Sequence, residues 1–183
     1  MEKFYENKIL SLIAYLAKNT KHCGKTKVAK LLFYVDWQHL KHTGKTITGL
    51  NYNAYNFGPF PKSLYSSLND KKSYLGSKID FIDAEKIDKP IHVKFQYDPK
   101  YFSKFELGII EKAVLIFQKA LGKDMVKASH WKDEPWTKVK ERAGLYAPIN
   151  EELAFEYKDA QITLKEYQER KKEREELSRL NHA

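Results

Sequence analysis

Cysteine is almost absent: Cys23 is the only one in 183 residues. A lone thiol excludes an internal disulfide and every cysteine-rich zinc site, and it suits a reducing compartment. Arginine is scarce as well, with only Arg142, Arg170, Arg174 and Arg179 among 33 basic residues. Arginine makes the bidentate contact to guanine that most often gives sequence specificity, so a chain without it before residue 142 is poorly equipped to read DNA. The eight glycines are scattered, and "CGKT" at 23–26 lacks the upstream glycine of a phosphate-binding loop. No run approaches the roughly 18 apolar residues of a membrane span. "ILSLIAYLA" at 9–17 comes nearest to a signal-peptide core, but Glu2 and Glu6 stand where positive charge belongs and no small-x-small cleavage site follows. The chain reads as cytoplasmic, with no membrane partner.

What is present is apolar surface and lysine. Hydrophobic residues make up 42% of the chain, a globular proportion, and a body of this length buries enough surface to hold a core without metal or disulfide. The net charge of +9 is uneven. Residues 1–45 carry nine lysines against Glu2, Glu6 and Asp36, while 46–157 are close to balance and 158–183 nearly neutral. A basic first third points to an anionic partner, either nucleic acid or an acidic protein.

The apolar spacing predicts a helix from Phe4 to about Lys18 and a second, capped by Thr26, through His42 with Val28, Leu31, Leu32, Val35 and Leu40 inward. Gly44 ends it. Two helices joined by a basic turn resemble the opening of a helix-turn-helix, and ordinary helical hairpins share that look. Residues 47–57 read as extended, and Pro61 as the first turn of a short helix carrying Leu64, Tyr65 and Leu68. From 69 to 90 the chain is polar and loop-like, with a short strand at 79–82. Ile91, Val93, Phe95 and Tyr97 alternate with polar residues, the pattern of a half-buried strand.

Ser103 and Glu106 form a capping-box pair ahead of a helix whose Leu107, Ile110, Val114, Phe117 and Leu121 make a core stripe stopped by Gly122. A helix over 124–130, another opened by Pro135 with Asp133 as cap and closed by Gly144, and a short one from Asn150 follow. Thr163 and Glu166 repeat the capping box, with Ile162 and Tyr167 as a staple. Ten of the twelve residues 165–176 are charged, so this last helix should project into solvent. The expected fold is mainly α with a small antiparallel β-sheet (α+β): one domain over 1–157 and a charged helical tail over 158–183.

No residue set here spells out catalysis. Asp36, His39 and His42 share a helix, but two ligands are too few for a metal, and an exposed polar face accounts for them. Cys23 beside His22 has no orienting group. We therefore expect no catalytic, cofactor-binding or metal-binding residue, and no cofactor.

The aromatic content is more telling. "NAYNFGPFPKSLY" at 53–65 packs Tyr55, Phe57, Phe60 and Tyr65 around Gly58-Pro59 and Pro61, while Trp131 and Trp136 bracket "KDEP". In a strand of period two, Tyr52 and Ala54 oppose Tyr55 and Phe57, so both faces carry rings, and covering both needs a further layer or another protein. A partner surface and a rigid core turn both satisfy the pattern. Tyr55, Phe57, Pro59, Phe60, Trp131 and Trp136 are the candidate partner-binding residues.

The order "KVAKLLFYVDWQHLKHTGKTI" (27–47), "YNFGPFPKSLY" (55–65), "SHWKDEPWTKVKE" (129–141) and "APINEELAFEY" (147–157) resembles the Panacea domain, the SocA-like antitoxin domain of phage-associated proteins, over about residues 5–157. Phe57 departs from the Tyr that commonly precedes Gly-Pro, and the charged tail has no counterpart in the pattern. The resemblance implies an antitoxin of a bacterial toxin–antitoxin pair, often associated with phage defence, that binds a cognate protein toxin encoded nearby and performs no catalysis. The alternative from another class is a helix-turn-helix-like DNA-binding regulator using the first two helices.

Overall fold

The computed structural model describes residues 2–81, 91–130 and 133–180. Among these the chain is mainly helical, with two separate antiparallel sheets of two strands each. In chain order the elements are α1 (Glu2–Asn19), α2 (Lys25–Thr43), β1 (Asn53–Tyr55), β2 (Gly58–Phe60), α3 (Lys62–Asn69), α4 (Tyr74–Lys78), β3 (Ile79–Phe81), β4 (Ile91–Val93), α5 (Lys104–Phe117), α6 (Gly122–Ser129), α7 (Pro135–Ala143) and α8 (Leu164–Leu180). Short 3-10 turns occupy Pro99–Tyr101 and Glu151–Glu156.

The core is organised around α2. This helix touches α1, α5, α6, β2 and the second 3-10 turn, so it is enclosed on several sides. Val28, Leu31, Leu32, Val35 and Leu40 are buried as their spacing predicts. The same enclosure carries polar groups inward: Lys27, Lys30, Asp36, His39 and Lys41 are all buried. Each finds a partner, as burial of polar groups demands. Lys27 Nζ donates to the carbonyls of Lys21 and Ala120, both at 2.7 Å, tying the α1–α2 turn to the end of α5. The α1–α2 pair is thus a core hairpin rather than a helix held out toward solvent.

Asp36 and His39 correct the expected exposed polar face; only His42 is exposed. Asp36 Oδ1 accepts the amide N–H groups of Ile47 and Thr48 at 2.8 and 2.9 Å, and Oδ2 accepts the hydroxyls of Thr48 and Tyr52. His39 Nδ1–H donates to the Lys45 carbonyl at 2.7 Å. These bonds fold the chain after α2 back along the helix and deliver it to β1. Gly44 closes α2 with φ +75° and its N–H on the Leu40 carbonyl at 2.8 Å.

The sheets are smaller than the alternation implied. β1 and β2 form a hairpin with Asn53 opposite Phe60, Ala54 opposite Pro59 and Tyr55 opposite Gly58. Residues 146–149 run along the free edge of β1, with Ala54 N–H on the Ala147 carbonyl at 2.9 Å and Ile149 N–H on Tyr52 at 2.8 Å. The second sheet pairs Ile79 with Val93 and Phe81 with Ile91. The ladder stops at Val93 because its partner strand begins at Ile79, directly after α4; Phe95 and Tyr97 pack on the core, Tyr97 against Tyr15 of α1 at 4.7 Å. The expected strand at 79–82 is present over Ile79–Phe81, and residue 82 lies outside the described residues.

Several caps differ from expectation. Gly24, not Thr26, precedes α2. Pro61 stands just before α3 rather than within its first turn. Gly122 opens α6 instead of stopping α5, which ends at Phe117. Glu134 is the cap of α7, and Asp133 sits at φ +73° with its carbonyl accepting the Tyr157 hydroxyl at 2.5 Å. The Ser103–Glu106 capping box forms, and the pair Thr163–Glu166 makes the same reciprocal bonds.

The last helix does not simply project. Tyr167 is fully buried, stacked on Phe155 with centroids 4.6 Å apart, and its hydroxyl donates to Glu151 at 2.7 Å. Arg170 and Arg174 reach the carbonyls of Thr43 and Gly44 at 3.2 and 3.0 Å, cations at the C-terminal end of α2. One aromatic and two guanidinium groups seat the helix, so its lack of an apolar stripe misled the sequence reading. Past Arg174 the helix is almost entirely exposed.

Candidate partner-binding surface

The β1–β2 hairpin lies against α2, and Lys30 explains the chemistry of its corner. Lys30 Nζ donates to the Pro59 carbonyl at 2.7 Å. At Gly58, where φ is +99°, a Cβ would stand 2.4 Å from Ser129 Oγ and 2.9 Å from Lys30 Cε. Only glycine allows both the backbone angle and this close approach of α2 and α6. The Gly-Pro corner is thus a seat for a buried lysine. Desolvation lowers the Lys30 pKa to about 7.

Trp136 braces the other side. Its indole N–H donates to the Tyr55 carbonyl at 2.6 Å, and its ring stacks on His130 at 3.7 Å with planes 16° apart. Lys140 Nζ lies over the indole, 4.9 Å from the ring centroid. His130 Nε2 is buried with no hydrogen-bond partner among the described residues. Burial first, then the charges of Lys30 and Lys140, lower the His130 pKa.

The candidate residues therefore separate. Phe57 occupies the hairpin tip and is 62% exposed. Tyr55 and Phe60 are half-buried and meet each other at 5.1 Å, Phe60 stacking in turn on Tyr65 at 4.5 Å. Pro59 and Trp136 are buried, so neither ring is offered to solvent: they are the hairpin's supports. Trp131 lies outside the described residues. The inner half of the corner is core, as the rigid-turn reading expects, and its tip is exposed surface.

Two concavities flank Lys30. One, of about 360 Å³, lies against the hairpin and is lined by Ala29, Tyr55, Phe57 and Phe60. The other, a groove of about 450 Å³, follows Phe33, Tyr34 and Trp37 of α2 between Phe117 and Met125 on one side and Tyr157 on the other. Lys30 lines both. The groove is what the sequence reading missed. Its signal was legible, because Lys30, Phe33, Tyr34, Trp37, Gln38 and Lys41 recur at helical spacing as a second stripe beside the aliphatic one.

Cys23 is buried, and burial raises its thiol pKa, the condition of an inert structural cysteine. Among the described residues no helix is long and apolar enough to cross a membrane.

The architecture defines a mainly helical domain built on an enclosed central helix, with a glycine-cornered hairpin and an aromatic groove on one flank. The family model for the antitoxin SocA-like, Panacea domain matches residues 28–137, well over half of the chain. The protein belongs to that family. The matched segment runs from α2 into α7 and holds Lys30, the hairpin and most of the groove. No curated protein and no solved structure matches the chain.

Proposed function

We propose that the protein is an antitoxin that neutralises a cognate protein toxin, encoded nearby, by forming a direct complex with it in the cytoplasm. It acts as a binding protein and not as an enzyme. The observation that carries this reading is its membership of the SocA-like antitoxin family over residues 28–137. The geometry agrees with it. An exposed aromatic at a rigid hairpin tip, beside a concave aromatic surface, is the kind of anchor-and-pocket arrangement that protein interfaces concentrate their energy in. The DNA-binding alternative requires α2 to enter a groove, and α2 is the most enclosed helix of the fold. Association with phage defence follows from the same family reading.

Co-expression of the neighbouring gene with and without this chain tests the proposal. The neighbour alone should arrest growth, the pair should grow, and the two proteins should co-purify. A harmless neighbour that forms no complex would overturn the reading.

A further inference from the structure

Lys30 is the junction of the two concavities, and it is buried there without an ion-pair partner among the described residues. The groups beside it are His130 and, across Trp136, Lys140. Among the described residues no carboxylate pairs with Lys30, whereas Lys41 at the far end of the groove is paired with Asp159. An ammonium has three N–H donors. Lys30 gives one to Pro59, which leaves two beside glycine backbone, serine and aromatic rings, while the carboxylates of the groove, Glu134 and Asp159, lie with Lys41, which Asp159 pairs. A buried cation without a counter-ion is costly, and a fold tolerates one where a partner supplies the missing charge.

We infer that this surface receives an acidic side chain of the protein partner, whose carboxylate pairs with Lys30 Nζ between the two concavities while flanking apolar side chains fill the groove over Tyr34 and Trp37. This rests on the antitoxin reading for the identity of the partner, though not for the site. Two N–H groups of one amine match the two oxygens of a carboxylate. A phosphate calls for more donors than this, and the groove sets Glu134 and Asp159 against its two lysines, so it is aromatic with balanced charge and not a basic cluster. The low pKa of Lys30 is what an amine shows while its counter-charge is absent. Fixed by Gly58 and Pro59, the amine is held in place before the partner arrives, which limits the ordering cost of binding.

The full-length protein is titrated with hydrocinnamate and with hydrocinnamamide, which share a ring and differ in charge, while the amide resonances of Gly58 and Ser129 are followed by NMR. The acid should shift them and the amide should not, and Lys30→Met should abolish the response. Equal responses to both probes, or none to either, overturn the site. A larger response to inorganic phosphate overturns it in favour of a phosphoryl ligand such as nucleic acid. Lys30→Met should melt no lower than the wild type. Should it not fold, Ser129→Asp supplies an internal carboxylate beside the amine and should block the hydrocinnamate response; an unchanged response overturns the site.

With the neighbour-encoded toxin, Lys30→Met should weaken the complex roughly 30-fold or more, mainly through faster dissociation. Unchanged affinity overturns the inference while leaving the antitoxin reading intact. Absence of any wild-type complex sinks the antitoxin reading, and the small-molecule titration then decides the carboxylate site alone.

Discussion

The hydroxyl of Tyr52 donates to Asp36 Oδ2 at 2.7 Å, with both side chains buried between α2 and the segment that leads to β1. Asp36 holds the 47–52 segment against the helix, and Tyr52 and Ala54 are buried there. Burial raises the Asp36 pKa to about 6 from an ordinary 3.8, even though four hydrogen bonds to its oxygens pull the other way.

That displacement has a definite sign. A carboxyl whose folded pKa lies above its unfolded one binds the extra proton in the folded state. Its contribution to stability is full below pH 3.8 and is lost as pH rises through about 6. Asp36→Asn removes the titration, so wild-type stability measured relative to Asp36→Asn should fall by roughly 3 kcal/mol across that interval. Asp36→Ala strands two amides and two hydroxyls and should cost ~3 kcal/mol or more at neutral pH. Denaturant titrations of the three proteins at several pH values check both; a flat wild-type-minus-Asn difference would show that Asp36 does not titrate there.

Gly58→Ala should be disproportionately harmful for the gain of a single methyl group. The new methyl meets Ser129 Oγ and Lys30 Cε at distances no Cβ tolerates, and φ +99° is itself strained for alanine. We expect a loss of about 2–4 kcal/mol, combining strain and overpacking. Gly49→Ala is the control, with a similar φ of +72° and nothing within 4 Å of its Cβ position, and should lose only the conformational part. Thermal melts of the two variants should separate clearly.

Phe57→Ala offers the opposite profile. The ring is 62% exposed at the hairpin tip, so the melting temperature should stay close to wild type. Loss of an aromatic anchor at the centre of an interface costs ~2 kcal/mol or more of binding. Calorimetric titration with the neighbour-encoded toxin should therefore show weaker binding on an unchanged fold. Equal affinity would place the interface away from the hairpin tip.

Local signals in the chain were read well where one physical cause dominates. The aliphatic stripe of α2, the Gly44 stop and the Ser103–Glu106 box each depend on a few neighbouring residues, and each is present. The alternation at 91–97 was real but ran past the ladder, because the partner strand begins only where α4 ends, and period-two spacing does not encode the partner's length. The burial of Asp36 and Lys30 was illegible for a related reason. A charged side chain on a helix reads as solvent-facing until the enclosing elements, here 47–52 and the hairpin, are in position to satisfy it. Lys30, Phe33, Tyr34, Trp37, Gln38 and Lys41 of α2 were therefore visible as a stripe of residues and not as a groove.

Tyr167 makes α8 part of the body that it was expected to leave. Its fully buried ring lies on Phe155, and together with Ile162 it packs against Gly44, where a Cβ would come within 3.0 Å of Ile162 Cδ1 and 3.5 Å of Tyr167 Cδ2. Arg170 and Arg174 cap the carbonyl end of α2 from the same helix. These contacts stop at Arg174, and beyond it Leu177 and Leu180 are 60% and 74% exposed. Two truncations should therefore behave differently. Removing residues 176–183 deletes an exposed end of α8 over 176–180 and should leave the melting temperature within a few degrees of the full chain. Removing 163–183 takes away Tyr167 and both arginines, uncovers Phe155 and frays the end of α2. The aromatic alone accounts for about 3–5 kcal/mol, by analogy with large-to-small changes in a core. Tyr167→Ala in the full-length chain should reproduce most of that loss. If the longer deletion melts with the wild type, α8 is not seated on α2 in solution and the packing of Tyr167 on Phe155 is wrong.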